Sequence, residues 1–252
     1  MRPIALLLAL TVSSDAFALS CLWGVVGTSL DTSPEIPTNP VVLVEHTFDA
    51  TAEVSVELRD ATGAAMPVRI EKGHQFATLA PESPLEPGAT YTLVSTGESE
   101  GFVDSTFTVG GGPDTEPPDA PTLDAATRMS NRSMWGDTAG IRVILGESWG
   151  AAWYEYEIST SPDFTDAHRF ASTQTEVVLG TQLCDQSFPD YARSERYHVR
   201  ARAVDAAGNA SDWATSAGEV RGCSSLGAAG LWLGFPVGLL ALVSRRKTAP
   251  AA

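Results

Sequence analysis

The chain has 252 residues, a formal net charge of −15 and a pI near 4.5. An acidic surface repels a polyanion and no basic patch interrupts it, so nucleic acid is excluded as a partner. Hydrophobic residues make up 43% of the chain, enough to bury a core. The length without the two end segments predicts two domains of about a hundred residues each.

Residues 1–18 have the pattern of a secretory signal peptide. Arg2 supplies a positive charge, the apolar run Ile4 to Leu10 is too short to span a bilayer, and Ala16-Phe17-Ala18 offers small residues to a signal peptidase. We therefore expect an exported chain, cleaved after Ala18. The alternative is a lipoprotein box that ends at Cys21 and would attach a lipid there.

Short alternating stretches, separated by Pro and Gly, run from Asp31 to Val109. Val54, Val56 and Leu58 alternate with polar residues, which is the period-two pattern of a strand with one buried face. Further strands are predicted at residues 41–48, 68–71, 91–95 and 105–109. Their spacing is typical of a sandwich, so we expect an immunoglobulin-like domain over residues 31–110, after an N-terminal segment at 19–30.

The clearest local pattern in this domain is Pro84-Leu85-Glu86-Pro87-Gly88-Ala89-Thr90-Tyr91-Thr92-Leu93. The Pro-Gly pair reverses the chain, Leu85 closes the end of the sandwich, and Tyr91 and Leu93 enter the core. Together with Thr106-Phe107-Thr108, this stretch resembles the bacterial Ig-like domains of surface proteins. The resemblance implies the fold and transfers no binding role.

Residues 111–121 form an acidic linker rich in Gly and Pro. The glycines predict a flexible start and the prolines hold the remainder extended, so we expect two domains that behave as separate bodies. The boundary falls near residue 115.

The strongest fold signal lies in the second domain, at residues 122–221. Strands are predicted at Ile141 to Leu145 and at Trp153 to Ile158, and a third alternates from Tyr197 to Ala203 before the turn at Asp205 to Asn209. That strand and turn resemble the penultimate strand of fibronectin type III domains. The resemblance implies a second sandwich in which the Tyr197 ring is buried and its hydroxyl finds a backbone partner.

The end of the chain predicts a membrane span. The uncharged run Leu226 to Val243 would form a helix about 27 Å long, close to the hydrocarbon thickness of roughly 30 Å, with cations on one side only. Those cations, Arg245-Arg246-Lys247, favour a cytoplasmic tail. A buried core helix is the alternative interpretation.

The same segment resembles the carboxy-terminal sorting tails of myxobacteria and related bacteria. Gly222-Cys223, the apolar run and the cluster Arg245, Arg246, Lys247 carry the resemblance. It implies that Cys223 marks the chain for an intramembrane protease. It also implies anchoring in the inner membrane during transit, with the tail cytoplasmic, followed by transfer to the outer surface of a Gram-negative envelope. A plain single-pass anchor remains the alternative.

Three cysteines are present, at positions 21, 184 and 223. If the sorting tail uses Cys223, then Cys21 and Cys184 are left as a candidate disulfide in an oxidising compartment. The sequence equally permits a bond between Cys184 and Cys223, or a free Cys21.

No motif in the sequence predicts catalysis, a cofactor or a metal site. His46, His74, His168 and His198 have no partner at metal-ligand spacing, and there is no Gly-x-Ser-x-Gly or His-Glu-x-x-His motif. The aromatic residues Trp135, Trp149 and Tyr154 are interpreted as half-buried members of a sandwich in preference to a ligand-facing patch.

These patterns predict an exported, membrane- or surface-anchored, non-enzymatic protein. Its expected role is adhesion, envelope structure or binding of a protein or glycan partner. The alternative is a hydrolase that acts on extracellular polysaccharide, or the accessory binding module of one. Such an enzyme would need a cleft with two carboxylates about 5 to 10 Å apart.

Overall fold

A computed structural model of the chain describes residues 24–31, 33, 35–47, 55–96, 104–133, 136–181, 188, 190–216 and 220. The described residues form strands and one short 3-10 helix, so the predicted all-β class is confirmed. Met1–Arg221 form one compact unit, and the second unit, Gly222–Ala252, lies outside the described residues. The predicted signal peptide, residues 1–18, and the predicted membrane span, residues 226–243, fall outside them as well. In the described part, no helix has the length and apolarity to cross a membrane.

The first sandwich contains seven of the strands and the 3-10 helix η1. In chain order the elements are β1 (Gly24–Thr28), η1 (Ser29–Asp31), β2 (Val42–Thr47), β3 (Ser55–Arg59), β4 (Val68–Lys72), β5 (Phe76–Pro81), β6 (Thr90–Thr96) and β7 (Ser105–Thr108). One sheet has the order β1-β2-β5-β4 and the other β3-β6-β7. All these neighbours are antiparallel. This is the strand order of a constant-type immunoglobulin domain.

The first sandwich begins earlier than expected and contains a strand that the sequence did not predict. Gly24–Thr28 was assigned to an N-terminal segment, yet it pairs with β2 as an edge strand. Strand β5 was missed because Phe76-Ala77-Thr78-Leu79 does not alternate cleanly and ends at Pro81. It pairs on both sides, with β2 and β4, and therefore lies inside its sheet.

The second sandwich has a different division of strands. Its elements are β8 (Leu123–Ser133), β9 (Gly136–Leu145), β10 (Trp153–Ser159), β11 (His168–Ser172), β12 (Glu176–Thr181), β13 (His198–Val204) and β14 (Ala214–Thr215). The sheets are β12-β9-β8 and β11-β10-β13-β14. The fourth strand therefore pairs with the third instead of the fifth, in the fibronectin type III-like manner that the sequence resemblance implied.

In each sandwich, the hydroxyl of a buried tyrosine at the penultimate strand accepts a hydrogen bond from the backbone just ahead of that strand. The Glu86 amide donates to the Tyr91 hydroxyl at 3.1 Å, and the Ala192 amide donates to the Tyr197 hydroxyl at 2.8 Å. Both rings lie in the cores of their sandwiches. These are tyrosine corners, and the sequence-based prediction for Tyr197 is confirmed.

The expectation that the domains are separate bodies is wrong. In β2, Val42 and Val44 face the core of the first sandwich, whereas Leu43 points out of the opposite face of the sheet. Leu43 is nonetheless fully buried, because it packs in a third cluster that includes Trp153 and Val204 of the second sandwich. This junction core joins both sandwiches in one hydrophobic cluster.

Polar contacts surround the junction core. The Val41 amide donates to the Ala206 carbonyl at 2.8 Å, and the Thr173 amide donates to the Glu45 carboxylate. Gly208 has φ +84°, and an added Cβ would lie 2.6 Å from the Val41 side chain, so only glycine allows this close approach. The sequence could not predict these contacts, because none of them is signalled by a local pattern.

Candidate functional site

The residues that the sequence assigned to sorting and cross-linking have no place in the described structure. They all fall outside the described residues: Cys21, Cys184, Gly222, Cys223, Arg245, Arg246 and Lys247. Two other surfaces of the described chain are candidates for a functional site. One is a charged face of the second sandwich with an adjoining groove, and the other is an exposed tryptophan on a turn.

The charged face is built by alternation along β10 and β13. Val199, Ala201 and Ala203 point into the core, so Arg200 and Arg202 point outward. Opposite them on β10, Glu157 and Glu155 face the same side. The period-two pattern in the sequence predicted the strand, and the register with β10 supplies the charge pairs.

Both glutamates are held by arginines. The Glu157 carboxylate accepts a hydrogen bond from Arg200 Nε at 2.7 Å and lies 3.5 Å from Arg169 Nη2. The Glu155 carboxylate accepts one from Arg202 Nε at 2.7 Å. The glutamate side chains are almost covered while the arginines remain partly exposed. These charges are therefore neutralised within the face.

Aromatic rings extend the same network. The Arg200 guanidinium lies 4.2 Å from the Phe164 ring centroid and 4.4 Å from that of Trp213, and the Arg202 guanidinium lies 4.6 Å from the Trp213 ring. Cations at these distances are attracted to the π face of a ring. The stack covers the outer side of the sheet with groups that already have partners, so its main effect is structural.

A groove of about 200 Å³ lies beside this face, between the two sandwiches. One wall carries Arg69 and Glu71 of β4, and the other carries Trp153, Glu155 and Arg202. The indole N–H of Trp153 is buried and has no hydrogen-bond partner among the described residues. The wall charges are paired within each sandwich, Arg69 with Glu71 at 3.5 Å and Arg202 with Glu155 at 2.5 Å.

Two carboxylates line the groove, Glu71 and Glu155, and each lies beside an arginine of its own sheet. Glycoside hydrolysis requires one carboxyl group that donates a proton to the leaving oxygen. On one wall of the groove, the Glu155 carboxylate accepts a hydrogen bond from Arg202. In the part of the chain that the structure describes, no three His, Cys, Asp or Glu residues come together as a metal site.

Two of the histidines meet at the junction between the sandwiches. His74 follows β4 in the first sandwich and His168 begins β11 in the second, and their rings meet edge to face at 5.5 Å between centroids. The His168 ring also packs against Phe188 at 5.0 Å. The sequence separates these two histidines widely, so this contact could be found only from the fold.

Asp166 stabilises the loop between β10 and β11 by accepting several hydrogen bonds. The hydroxyls of Ser159 and Thr160 donate to its carboxylate, as does the Ser161 amide. These donors favour the charged form and lower the pKa of Asp166 to about 2. The loop therefore depends on an ionised carboxylate at neutral pH.

Trp149 is the most exposed large hydrophobic residue of the described chain. It sits in the turn between β9 and β10 with 88% of its surface exposed. The sequence predicts a half-buried position for this residue, and that prediction is wrong. The same prediction holds better for Tyr154, which is buried, while Trp135 lies outside the described residues.

The turn that carries Trp149 is held by hydrogen bonds within the turn and to the core. The Ala151 amide donates to the Ser148 carbonyl at 3.3 Å, and Gly150 has φ +83°, as the third residue of a type II turn requires. The Ser148 amide donates to the hydroxyl of buried Tyr154 at 3.4 Å. The turn is thus fixed both by its own hydrogen bond and by the core.

The linker supports the same turn. The Asp119 amide donates to the Trp149 carbonyl at 3.3 Å, and the Ser148 hydroxyl donates to the Asp119 carbonyl. Residues 146–151 contain two glycines and a serine, which indicates a turn. This pattern does not indicate that the turn holds an indole on its outer side. Covering an indole buries roughly 150–200 Å², worth about 4 to 5 kcal/mol before the costs of association.

No family model matches the chain, and no curated protein matches it. Among solved structures, the chain is similar to the FN1–FN3 domains of chicken CNTN1, with 12% identity, 74% of this chain and 62% of that chain covered, and a TM-score of 0.28. The chain thus spans less than two thirds of that structure.

Two further solved structures show likenesses at the same level. The N-terminal Ig1-2 module of the Drosophila receptor protein tyrosine phosphatase DLAR is 10% identical over 73% of this chain and 92% of that chain, with a TM-score of 0.26. A pullulanase from Anoxybacillus sp. LM18-11 is 10% identical over 73% and 24%, with a TM-score of 0.23. These likenesses carry no argument about function. The class of the protein, a tandem of immunoglobulin-like sandwiches, follows from its own sheets.

Proposed function

We propose that this chain is an exported, non-enzymatic protein that acts at the cell surface by binding a partner. The observation that carries the proposal is that Trp149 is exposed to solvent on a hydrogen-bonded turn. Covering an apolar ring removes it from water and lowers the free energy of the system. Tryptophan is also enriched at the centres of protein interfaces. Export rests on the signal-peptide pattern at residues 1–18.

The junction core supports this proposal. Because it joins the two sandwiches, a surface on the second sandwich is held at a fixed position relative to the first. A rigid scaffold lowers the entropy cost of binding, since fewer groups must be ordered when the partner arrives. Such a scaffold favours the proposed binding role.

A binding screen tests the proposed function. The purified full chain would be immobilised and probed with a glycan array and with solubilised envelope fractions, and polysaccharides would be incubated with it in parallel. We expect retention of at least one partner without any product. Release of shortened polysaccharide without a stably bound partner would instead support the hydrolase alternative.

We further propose that the tail sorts the protein to the surface. In this proposal the helix 226–243 halts in the inner membrane with Arg245, Arg246 and Lys247 in the cytoplasm. A membrane protease then processes the chain near Gly222 and Cys223. The support is the sequence pattern and its resemblance to sorting tails.

Mass spectrometry of surface-released protein tests the sorting proposal. We expect mature material that ends near Cys223, and a Cys223→Ala variant that stays unprocessed in the inner membrane. Recovery of a peptide containing Phe235 from the mature surface protein would show that the helix is a permanent anchor.

A further inference from the structure

We infer that the Trp149 turn is a docking site for a cationic protein segment, in which a Lys or Arg side chain stacks on the indole. This inference rests on the proposed binding function and adds the chemistry of the partner. It begins from the exposure of the ring and from the four hydrogen bonds that hold its turn.

The charge around the ring selects the partner. Asp119 is hydrogen-bonded to the turn, Glu147 lies two residues before Trp149, and Asp124 lies beside Gly146, where an added Cβ would be 3.5 Å from its carboxylate. Neither residues 104–124 nor residues 143–151 contain a Lys or Arg. The indole is therefore presented on a turn whose neighbours along the chain, and in the linker hydrogen-bonded to it, carry carboxylates and no Lys or Arg.

An exposed indole on a turn flanked by acidic residues matches one chemistry best. A guanidinium or ammonium group gains from the negative face of the ring and from the carboxylates at the same time. A neutral glycan would use only the ring, and a membrane with anionic lipids would be repelled by the acidic surface. The second sandwich already contains this pairing internally, since Arg200 and Arg202 lie over Trp213.

The test uses the full chain and a defined peptide. The probe is a twelve-residue peptide of alternating Gly and Arg, and its control has Gln at each Arg position. Binding is measured by fluorescence anisotropy at low and at physiological salt. We expect the Arg peptide to bind more tightly than the Gln peptide, with an affinity that falls as salt rises.

Variants separate the ring from general acidity. Trp149→Ala should weaken binding of the Arg peptide about five- to thirtyfold, and Trp149→Phe should weaken it less, because phenylalanine keeps a ring of smaller quadrupole. Asp119→Asn with Glu147→Gln should reduce the affinity and flatten its salt dependence. Ile70→Ala, which removes exposed apolar surface from the other sandwich, should leave the affinity unchanged.

Several outcomes would overturn the inference. Equal affinity for the Arg and Gln peptides, or unchanged affinity in Trp149→Ala, would remove the role of the indole and its charge. Loss of glycan or vesicle binding in Trp149→Ala, without any peptide binding by the wild type, would assign the turn to a different occupant. If the envelope screen still captures a partner in Trp149→Ala, the proposed binding function stands and only this site fails.

Discussion

At the scale of single residues, the structure depends on polar groups whose partners are backbone atoms. Tyr91 and Tyr197 each place a hydroxyl on an amide a few residues upstream. Burial raises the pKa of Tyr197, so its hydroxyl remains protonated and available at neutral pH. The sequence predicted that Tyr91 enters the core and that the Tyr197 hydroxyl finds a backbone partner; the hydrogen bond of the Tyr91 hydroxyl was found only in the structure.

Removal of a tyrosine-corner hydroxyl should be costly. Tyr197→Phe leaves the Ala192 amide without its 2.8 Å partner, so we expect a loss of about 1 to 2 kcal/mol in the free energy of unfolding. Urea denaturation would measure it. The control is Tyr191→Phe, a neighbouring ring stacked on Tyr197 at 5.4 Å. Equal losses in the two variants would contradict the tyrosine-corner account.

The carboxylate of Asp166 predicts a pH dependence. Its folded pKa of about 2 lies below the value near 3.9 of an unfolded Asp, so the stabilisation is present above about pH 4 and disappears as the pH falls towards 2. Asp166→Asn should therefore be less stable than the wild type at pH 7, with a difference that shrinks between pH 4 and pH 2. Urea midpoints at these pH values would test it, and a constant difference would refute it.

At the scale of elements, the outward face of β10 and β13 depends on pairing across strands. Glu157 lies between two arginines and its side chain is only 6% exposed. Such a carboxylate contributes more than an exposed one, because its removal leaves guanidinium groups without a partner in a partly dry site.

A matched pair of substitutions tests this difference. Glu157→Gln should lower the free energy of unfolding by about 2 kcal/mol, between the values typical of exposed and of buried pairs. Glu176→Gln, which breaks the exposed pair with Arg142 at 2.8 Å, should cost less than about 1 kcal/mol. The measurement is chemical denaturation of both variants side by side. A larger cost at Glu176 would contradict the burial argument.

A strand is predictable from the sequence where apolar and polar residues alternate along it. Strands such as β3, β6 and β13 were predicted because their apolar residues recur at every second position. Strand β8 was missed because its outer half, Arg128 to Ser133, is largely polar. Trp149 was misjudged for a related reason, since a local pattern cannot tell whether an aromatic residue near a turn packs or points outward.

At the scale of the whole molecule, the junction core converts two sandwiches into one body. Leu43 lies on the outer face of its sheet because side chains alternate along a strand. Residues of the second sandwich cover it there, and no local sequence pattern indicates such a covering partner. The linker composition suggested independence. Burial of Trp153 and Val204 against the first sandwich overrides that suggestion.

Replacement of Leu43 should uncouple the sandwiches without unfolding either. In Leu43→Ser the altered side chain faces the junction and not the core of the first sandwich, so we expect two separated unfolding transitions in place of one. Leu93→Ala, in the core of the first sandwich, should lower stability by about 2 to 5 kcal/mol while the transition stays single. Circular dichroism during urea titration would distinguish these results.

The claim on which the rest depends is that the two sandwiches act as one body, and calorimetry of the wild-type chain tests it most directly. A single cooperative unit gives one endotherm whose calorimetric and van't Hoff enthalpies are equal. We predict one endotherm with matching enthalpies for the wild-type chain, because both sandwiches belong to one compact unit, Met1–Arg221. Two endotherms, each with the heat of one sandwich, would contradict the account.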